Sequence, residues 1–164
     1  MNANSASDKP ASDKPVAIRP ARRADVPVIV AMLADDHLGR ARERLEDPLP
    51  AVYYAAFERV ERDPNLTLVV AESEGRVVGC LQLAVLPGIS SQGGIRGLLE
   101  DVRVASDCRS RGIGEQLVQW AVTEAKARGC NLVELLTHSS RVDAQRFYKR
   151  LGFSLSHAGM TVRF

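Results

Sequence analysis

No sign of charge dominates this sequence. Lys and Arg number 22 against 20 Asp and Glu, a formal net charge of +2 over 164 residues. A broad basic face for a polyanion is therefore not expected, and neither is a nucleic-acid partner. Long apolar runs are missing too. The longest nearly apolar stretch, Val26 to Ala34, is far short of a membrane span and holds Pro27. The N-terminus lacks the apolar run of a secretory signal. Cysteine is scarce: Cys80, Cys108 and Cys130 stand far apart. No two have metal-ligand spacing, and His37, His138 and His157 complete no zinc pattern, so no metal is expected. No histidine lies close in sequence to Cys108 to make it a nucleophile, and three reduced, packing thiols are the plain reading. These absences point to a soluble cytoplasmic protein.

What is present suits one core. The chain is 45% hydrophobic, too much for a disordered segment. At this length roughly two-thirds of the unfolded surface can be buried. Residues 1–15 differ from the rest. Ala6 to Pro10 repeats as Ala11 to Pro15, and no large apolar residue follows Met1. We expect a flexible tail over 1–15 and a single domain over 16–164.

The domain opens with a short strand, Val16 to Arg19. Asp25 can cap a helix carrying Pro27 in its first turn. Residues 37–49 read as a loop or helix fragment. A helix over 51–62 presents Val52, Ala55, Ala56, Arg59 and Val60 at helical spacing and stops at Asp63-Pro64. The period then changes. Leu66 to Ala71 and Val77 to Leu86 read as strands joined at Glu74-Gly75. A glycine-rich loop spans 87–97, and a strand covers 98–104. A helix over 112–128 has Leu117, Val118, Trp120, Ala121 and Ala125 on its buried side and Gly129 as its stop. A strand from Leu132 to Leu136, a helix from Val142 to Leu151, and one or two strands within 153–164 complete the chain. This order predicts an α+β fold around a mixed sheet, not a doubly wound one.

The sharpest local feature is Val102-Arg103-Val104, a polar turn, then Arg109-Ser110-Arg111-Gly112-Ile113-Gly114 opening a helix. The first turn of a helix leaves N–H groups unpaired and carries partial positive charge. Gly112 and Gly114 clear the approach, and Arg109 and Arg111 add charge, so an anion site suited to pyrophosphate is predicted. Glu115 after the last glycine excludes a Walker loop. Leu117 excludes a dinucleotide fingerprint. A plain tight turn into the helix is the alternative.

A second motif follows, Ala144-Gln145-Arg146-Phe147-Tyr148-Lys149-Arg150-Leu151-Gly152-Phe153. With Arg109, Gly112 and Gly114, its Phe147, Tyr148, Gly152 and Phe153 resemble the GNAT superfamily of N-acetyltransferases. The resemblance implies a three-layer fold. Its twisted, mostly antiparallel sheet would have six or seven strands splayed between the fourth and fifth, with about four helices. It implies acetyl-coenzyme A as co-substrate. The pyrophosphate would rest on the turn from Arg109 through Ser110, Arg111, Gly112, Ile113 and Gly114 to Glu115. The pantetheine arm would run beside Val102, Arg103 and Val104, with a backbone N–H near Val102 polarising the thioester, a contribution of roughly 3–4 kcal/mol. Arg141, Ala144, Phe147 and Tyr148 fall on further cofactor positions. Arg141 replaces the asparagine that many members carry there.

The implied reaction is direct attack by a small-molecule amine on the thioester. An alkyl ammonium has a pKa of about 10, so a base is needed near pH 7. Glu100, two residues before Val102, is the first candidate, with Asp101 and His138 behind it. A bland role for Glu100 is an ion pair with Arg96 or Arg103. Tyr148 matches the family's general acid for the departing thiolate. A peptide or protein acceptor, and a non-catalytic acyl-coenzyme A-binding regulator, are the alternatives. Relatives often pair through C-terminal elements, which makes a homodimer an expectation by resemblance. Tyr53, Tyr54, Phe57 and the arginine-rich segment near Arg40 are candidate acceptor walls.

Overall fold

The computed structural model describes residues 16–36, 38–162 and 164. The tail expected over 1–15, and His37, lie outside the described residues. In chain order the elements are β1 (Ala17–Pro20), α1 (Val26–Ala34), α2 (Ala51–Arg62), β2 (Leu66–Ser73) and β3 (Arg76–Pro87). A single turn α3 (Ser90–Gly93), β4 (Ile95–Val104), α4 (Ile113–Ala127), β5 (Leu132–Leu135) and α5 (Val142–Arg150) follow. The strands form one mixed sheet in the order β1-β2-β3-β4-β5. The first three pairings are antiparallel and β4–β5 is parallel.

The α+β reading and the mostly antiparallel sheet hold. The strand count does not: five strands are present among the described residues, where six or seven were expected. The described part of 153–164 contributes none. Leu155, Met160 and Val162 remain exposed there, and Leu136, just past the short β5, is exposed as well. Without an apolar face to bury, nothing repays ordering that segment into a strand. The glycine-rich loop is also shorter than expected, because β4 begins at Ile95. Gly97 sits inside that strand, where an added Cβ would lie 3.2 Å from the Ala125 Cβ.

Local chemistry explains the connections. Glu74 and Gly75 both take positive φ, 52° and 76°, as a tight hairpin turn between β2 and β3 requires. On one face of the sheet, Leu81, Leu83, Leu99 and Val69 pack with Leu117, Val118 and Ala121 of α4. On the other, Cys80 and Val70 meet Ile29 and Met32 of α1. Phe57 of α2 closes on Val26 and Val30. Val52, read as part of the apolar spacing of α2, is instead exposed, and the helix buries the Tyr53, Tyr54 and Phe57 side. Leu117 is fully buried at the centre of the larger cluster. Leu117→Ala is expected to cost about 2–5 kcal/mol, read as a lower urea midpoint.

Asp25 stands at the N-cap position of α1 but does not cap that helix through its side chain. Its Oδ2 accepts the Arg22 N–H at 2.7 Å and an Arg19 guanidinium N–H at 2.7 Å. Arg19 also reaches Glu72 at 2.8 Å, tying β1 to β2. The Arg19 hydrogen bond, ahead of the opposing burial and the Arg22 N–H, holds the Asp25 carboxyl below the usual carboxylate range. A depressed folded-state pKa gives stability that is present above the unfolded value of about 3.9 and lost as pH falls through the lower folded one. Asp25→Asn should therefore lower the urea midpoint at pH 7 and flatten the acid-side loss of stability.

Candidate active site

The centre of the sheet carries two irregularities that meet. Pairing of β4 with β5 runs from Arg96↔Leu132 to Leu99↔Leu135 and stops, leaving Glu100 to Val104 without a partner on that edge. On its other edge β4 pairs Glu100 with Gln82 and Arg103 with Cys80, so an extra residue is accommodated between them. Asp101 takes φ 51°, a left-handed conformation uncommon outside glycine. This bulge resets the alternation of the strand. Gln82 and Cys80 are two apart on β3, hence on one face, and their partners Glu100 and Arg103 share it. That is the α1 face, since Cys80 packs on Ile29 and Met32. Leu99, Val102 and Val104 pack toward α4.

Beyond β4, a 3₁₀ turn over Ser106–Cys108 leads to Ser110 at φ 61° and Gly112 at φ 75°, from which α4 starts. Among the described residues no side chain caps α4, so the N–H groups of Ile113, Gly114 and Glu115 have neither an intrahelical acceptor nor a capping oxygen there. Gly114 has a packing reason of its own: an added Cβ would lie 3.3 Å from the Phe147 ring of α5 and 3.6 Å from Val104. The Arg109 guanidinium donates to the Val104 carbonyl at 3.3 Å and to Asp35 Oδ2 at 3.0 Å, fastening the turn to the end of α1. Arg111 is exposed. A surface cleft of about 720 Å³ runs from Glu115 between α4 and α5, with Val118, Arg150 and Phe153 on its walls.

Tyr148 lies in α5 with its ring edge-on to Phe147 at 5.0 Å and to Phe153 at 5.8 Å. Burial, outweighing the nearby Arg103 and Arg141 charges, raises its pKa and keeps the phenol protonated. The exposed Glu100 carboxylate makes no hydrogen bond or ion pair among the described residues. The partners considered for it are engaged elsewhere: Arg96 with Glu134 at 2.6 Å, and Arg103 with Asp36 at 4.0 Å. Partial desolvation first, and the Asp101 charge second, push the Glu100 carboxyl above its usual pKa. His138 is exposed, and its Nδ1 lies 2.7 Å from Ser140 Oγ. Ala144 sits in the first turn of α5.

Asp36 was not singled out from sequence. Its Oδ2 accepts from Arg141, at the start of α5. Its Oδ1 accepts the N–H groups of Leu38 and Gly39 at 2.9 and 2.6 Å. Burial opposes its ionisation, but those N–H groups and the two arginines prevail and hold its pKa low. A signal existed: Asp35 and Asp36 follow a helix C-terminus, where the dipole disfavours acids unless cations answer them.

Residues 30–153 match the model of the acetyltransferase (GNAT) family. The aminoalkylphosphonate N-acetyltransferase of Salmonella typhimurium is 37% identical over 60% of this chain and 64% of its own, just under two-thirds of that relative's length. The L-methionine sulfoximine/L-methionine sulfone acetyltransferase of Pseudomonas aeruginosa is 30% identical over 85% of this chain and 80% of its own. Among solved structures, one described as a transcriptional regulator from Bacillus halodurans superposes with a TM-score of 0.89. It is 48% identical and covers 91% of this chain and 99% of its own.

Proposed function

Because the chain belongs to the acetyltransferase (GNAT) family, we propose that it transfers the acetyl group of acetyl-coenzyme A directly to a primary amine of a small molecule. Residues 16–164 form the transferase domain in this reading. The observation that carries it is the end of β4–β5 pairing at Leu99/Leu135, directly upstream of the uncapped start of α4. A strand edge left open suits an extended pantetheine arm, and the free N–H groups at the helix start suit its pyrophosphate. The Salmonella and Pseudomonas relatives act, by name, on small amine-bearing compounds.

The chain's own groups then divide the work. Glu100 takes the proton of the acceptor amine, directly or through one water, so that the nitrogen lone pair attacks the thioester carbonyl. A backbone N–H near Val102 steadies the oxyanion that forms. As the carbon–sulfur bond breaks, Tyr148 gives its proton to the leaving thiolate, the second proton shed by the acceptor nitrogen restores the phenol, and the products are an amide and free coenzyme A. Cofactor contacts are assigned to the backbone of Val102, Arg103 and Val104 along the strand and to Arg109 through Glu115 at the turn. Ala144 and Phe147 add contacts from α5, whereas the Arg141 guanidinium at its N-terminus is held by Asp36.

A second reading has one specific support, the solved relative described as a transcriptional regulator. In that reading the domain binds an acyl-coenzyme A without turnover. Thiol release from acetyl-coenzyme A across a panel of amines and peptides separates the two. Release that depends on a small amine supports the proposed function. Cofactor binding with no release supports the regulator, and absence of binding defeats both.

A further inference from the structure

The acceptor end of the site carries more positive charge than the protein itself answers. Arg103 and Arg141 converge on one carboxylate, that of Asp36. Asp36 is already well occupied: Leu38 and Gly39 donate to one oxygen, and Arg141 to the other. Arg103 gains little from it, with its Nη2 4.0 Å away. Its Nη1 donates to the Val102 carbonyl at 2.9 Å, and its Nε is buried with no hydrogen-bond partner among the described residues. The side chain is only 17% exposed, so water does not compensate fully. A buried guanidinium with an idle donor is costly. Neither Glu100 nor Asp101 forms an ion pair with either arginine among the described residues.

The bulge at Asp101 gives this cluster its direction. It sets Arg103 on the same face of β4 as the unpaired Glu100. Three residue steps separate them by about 10 Å at most. The face thus presents a carboxylate at one end and two guanidinium groups at the other, beside the Tyr148 phenol that both arginines influence.

We propose that Arg103 and Arg141 receive an oxyanion group carried by the amine acceptor, a carboxylate or a phosphonate, while its ammonium end faces Glu100. The inference rests on the acetyl-transfer reading and names its substrate class. A planar guanidinium offers parallel N–H donors to such a group, and the Arg103 Nη2, only loosely engaged by Asp36 at 4.0 Å, supplies one of them. A neutral amine of the same length leaves that donor loosely engaged.

The test compares kcat/KM for aminoethylphosphonate and β-alanine against propylamine, all with acetyl-coenzyme A. Wild-type protein should favour at least one anionic amine by about 10- to 100-fold, the range of hydrogen bonds to a charged group. That ratio should collapse in Arg103→Gln through KM, and recover in part in Arg103→Lys. If Arg103→Gln does not fold, Arg141→Gln gives the same reading with a smaller loss. Equal kcat/KM for propylamine and both anionic amines in wild-type protein overturns the inference and leaves the acetyl-transfer reading intact. If no amine is turned over, that reading fails, and calorimetric binding decides the inference alone. Binding of an anionic amine that is lost in Arg103→Gln supports it, and no binding of either overturns it.

Discussion

Tyr148→Phe should lower kcat by about 10²-fold or more, with the affinity for acetyl-coenzyme A changed less than about twofold. The substitution removes one oxygen and keeps the ring, so the edge-on contacts with Phe147 and Phe153 survive. Any loss therefore reads on the hydroxyl rather than on packing. The direction of its pKa supports the acid role. Burial raises it, so the phenol holds its proton at neutral pH, and the nearby Arg103 and Arg141 charges temper the cost of giving that proton up. Single-turnover rates and equilibrium cofactor binding, measured on the same preparation, check both halves. An unchanged single-turnover rate rejects Tyr148 as the acid.

Glu100→Gln should lower kcat/KM by about 10²- to 10⁴-fold at neutral pH. The wild-type rate should rise with pH as Glu100 ionises, at a value above the ordinary glutamate range, since desolvation and the Asp101 charge both favour its neutral form. The variant should lose that limb. Stability adds an independent check with the opposite sign. A carboxyl whose folded-state pKa is raised disfavours the fold once it ionises, so Glu100→Gln should be at least as stable as wild type at pH 7. A carboxylate kept for structure would behave the other way, as Asp25 does. Urea midpoints at pH 4 and pH 7 distinguish the two.

Much of the fold around this candidate site is legible in the sequence, and the illegible parts share a cause. Pro50 and Asp63-Pro64 bound α2 to the residue, and Glu74-Gly75 marks its hairpin, because those residues restrict backbone angles locally. The two motifs around Gly112 and Tyr148 can be read because glycine and aromatic residues are needed at fixed places. Asp101 is different. Aspartate tolerates a left-handed φ better than most residues, but one Asp within a strand pattern does not mark a bulge, and without that bulge simple alternation puts Glu100 and Arg103 on opposite faces. Asp36 is likewise invisible, because its partner Arg141 lies 105 residues away. The missing final strand reflects the same limit. Leu155, Met160 and Val162 resemble a strand in type, but whether they bury a face depends on the neighbour, not on the pattern.

The central claim is direct transfer of acetyl from thioester to amine, and a single turnover followed by mass spectrometry of protein and small molecules tests it most directly. With one equivalent of acetyl-coenzyme A and excess aminoethylphosphonate, β-alanine or propylamine, at least one N-acetylated amine should appear. It should form one-for-one with free coenzyme A while the protein mass stays unchanged throughout. An acetylated protein that forms first and decays as the amide appears, or free coenzyme A without any amide, would contradict the account.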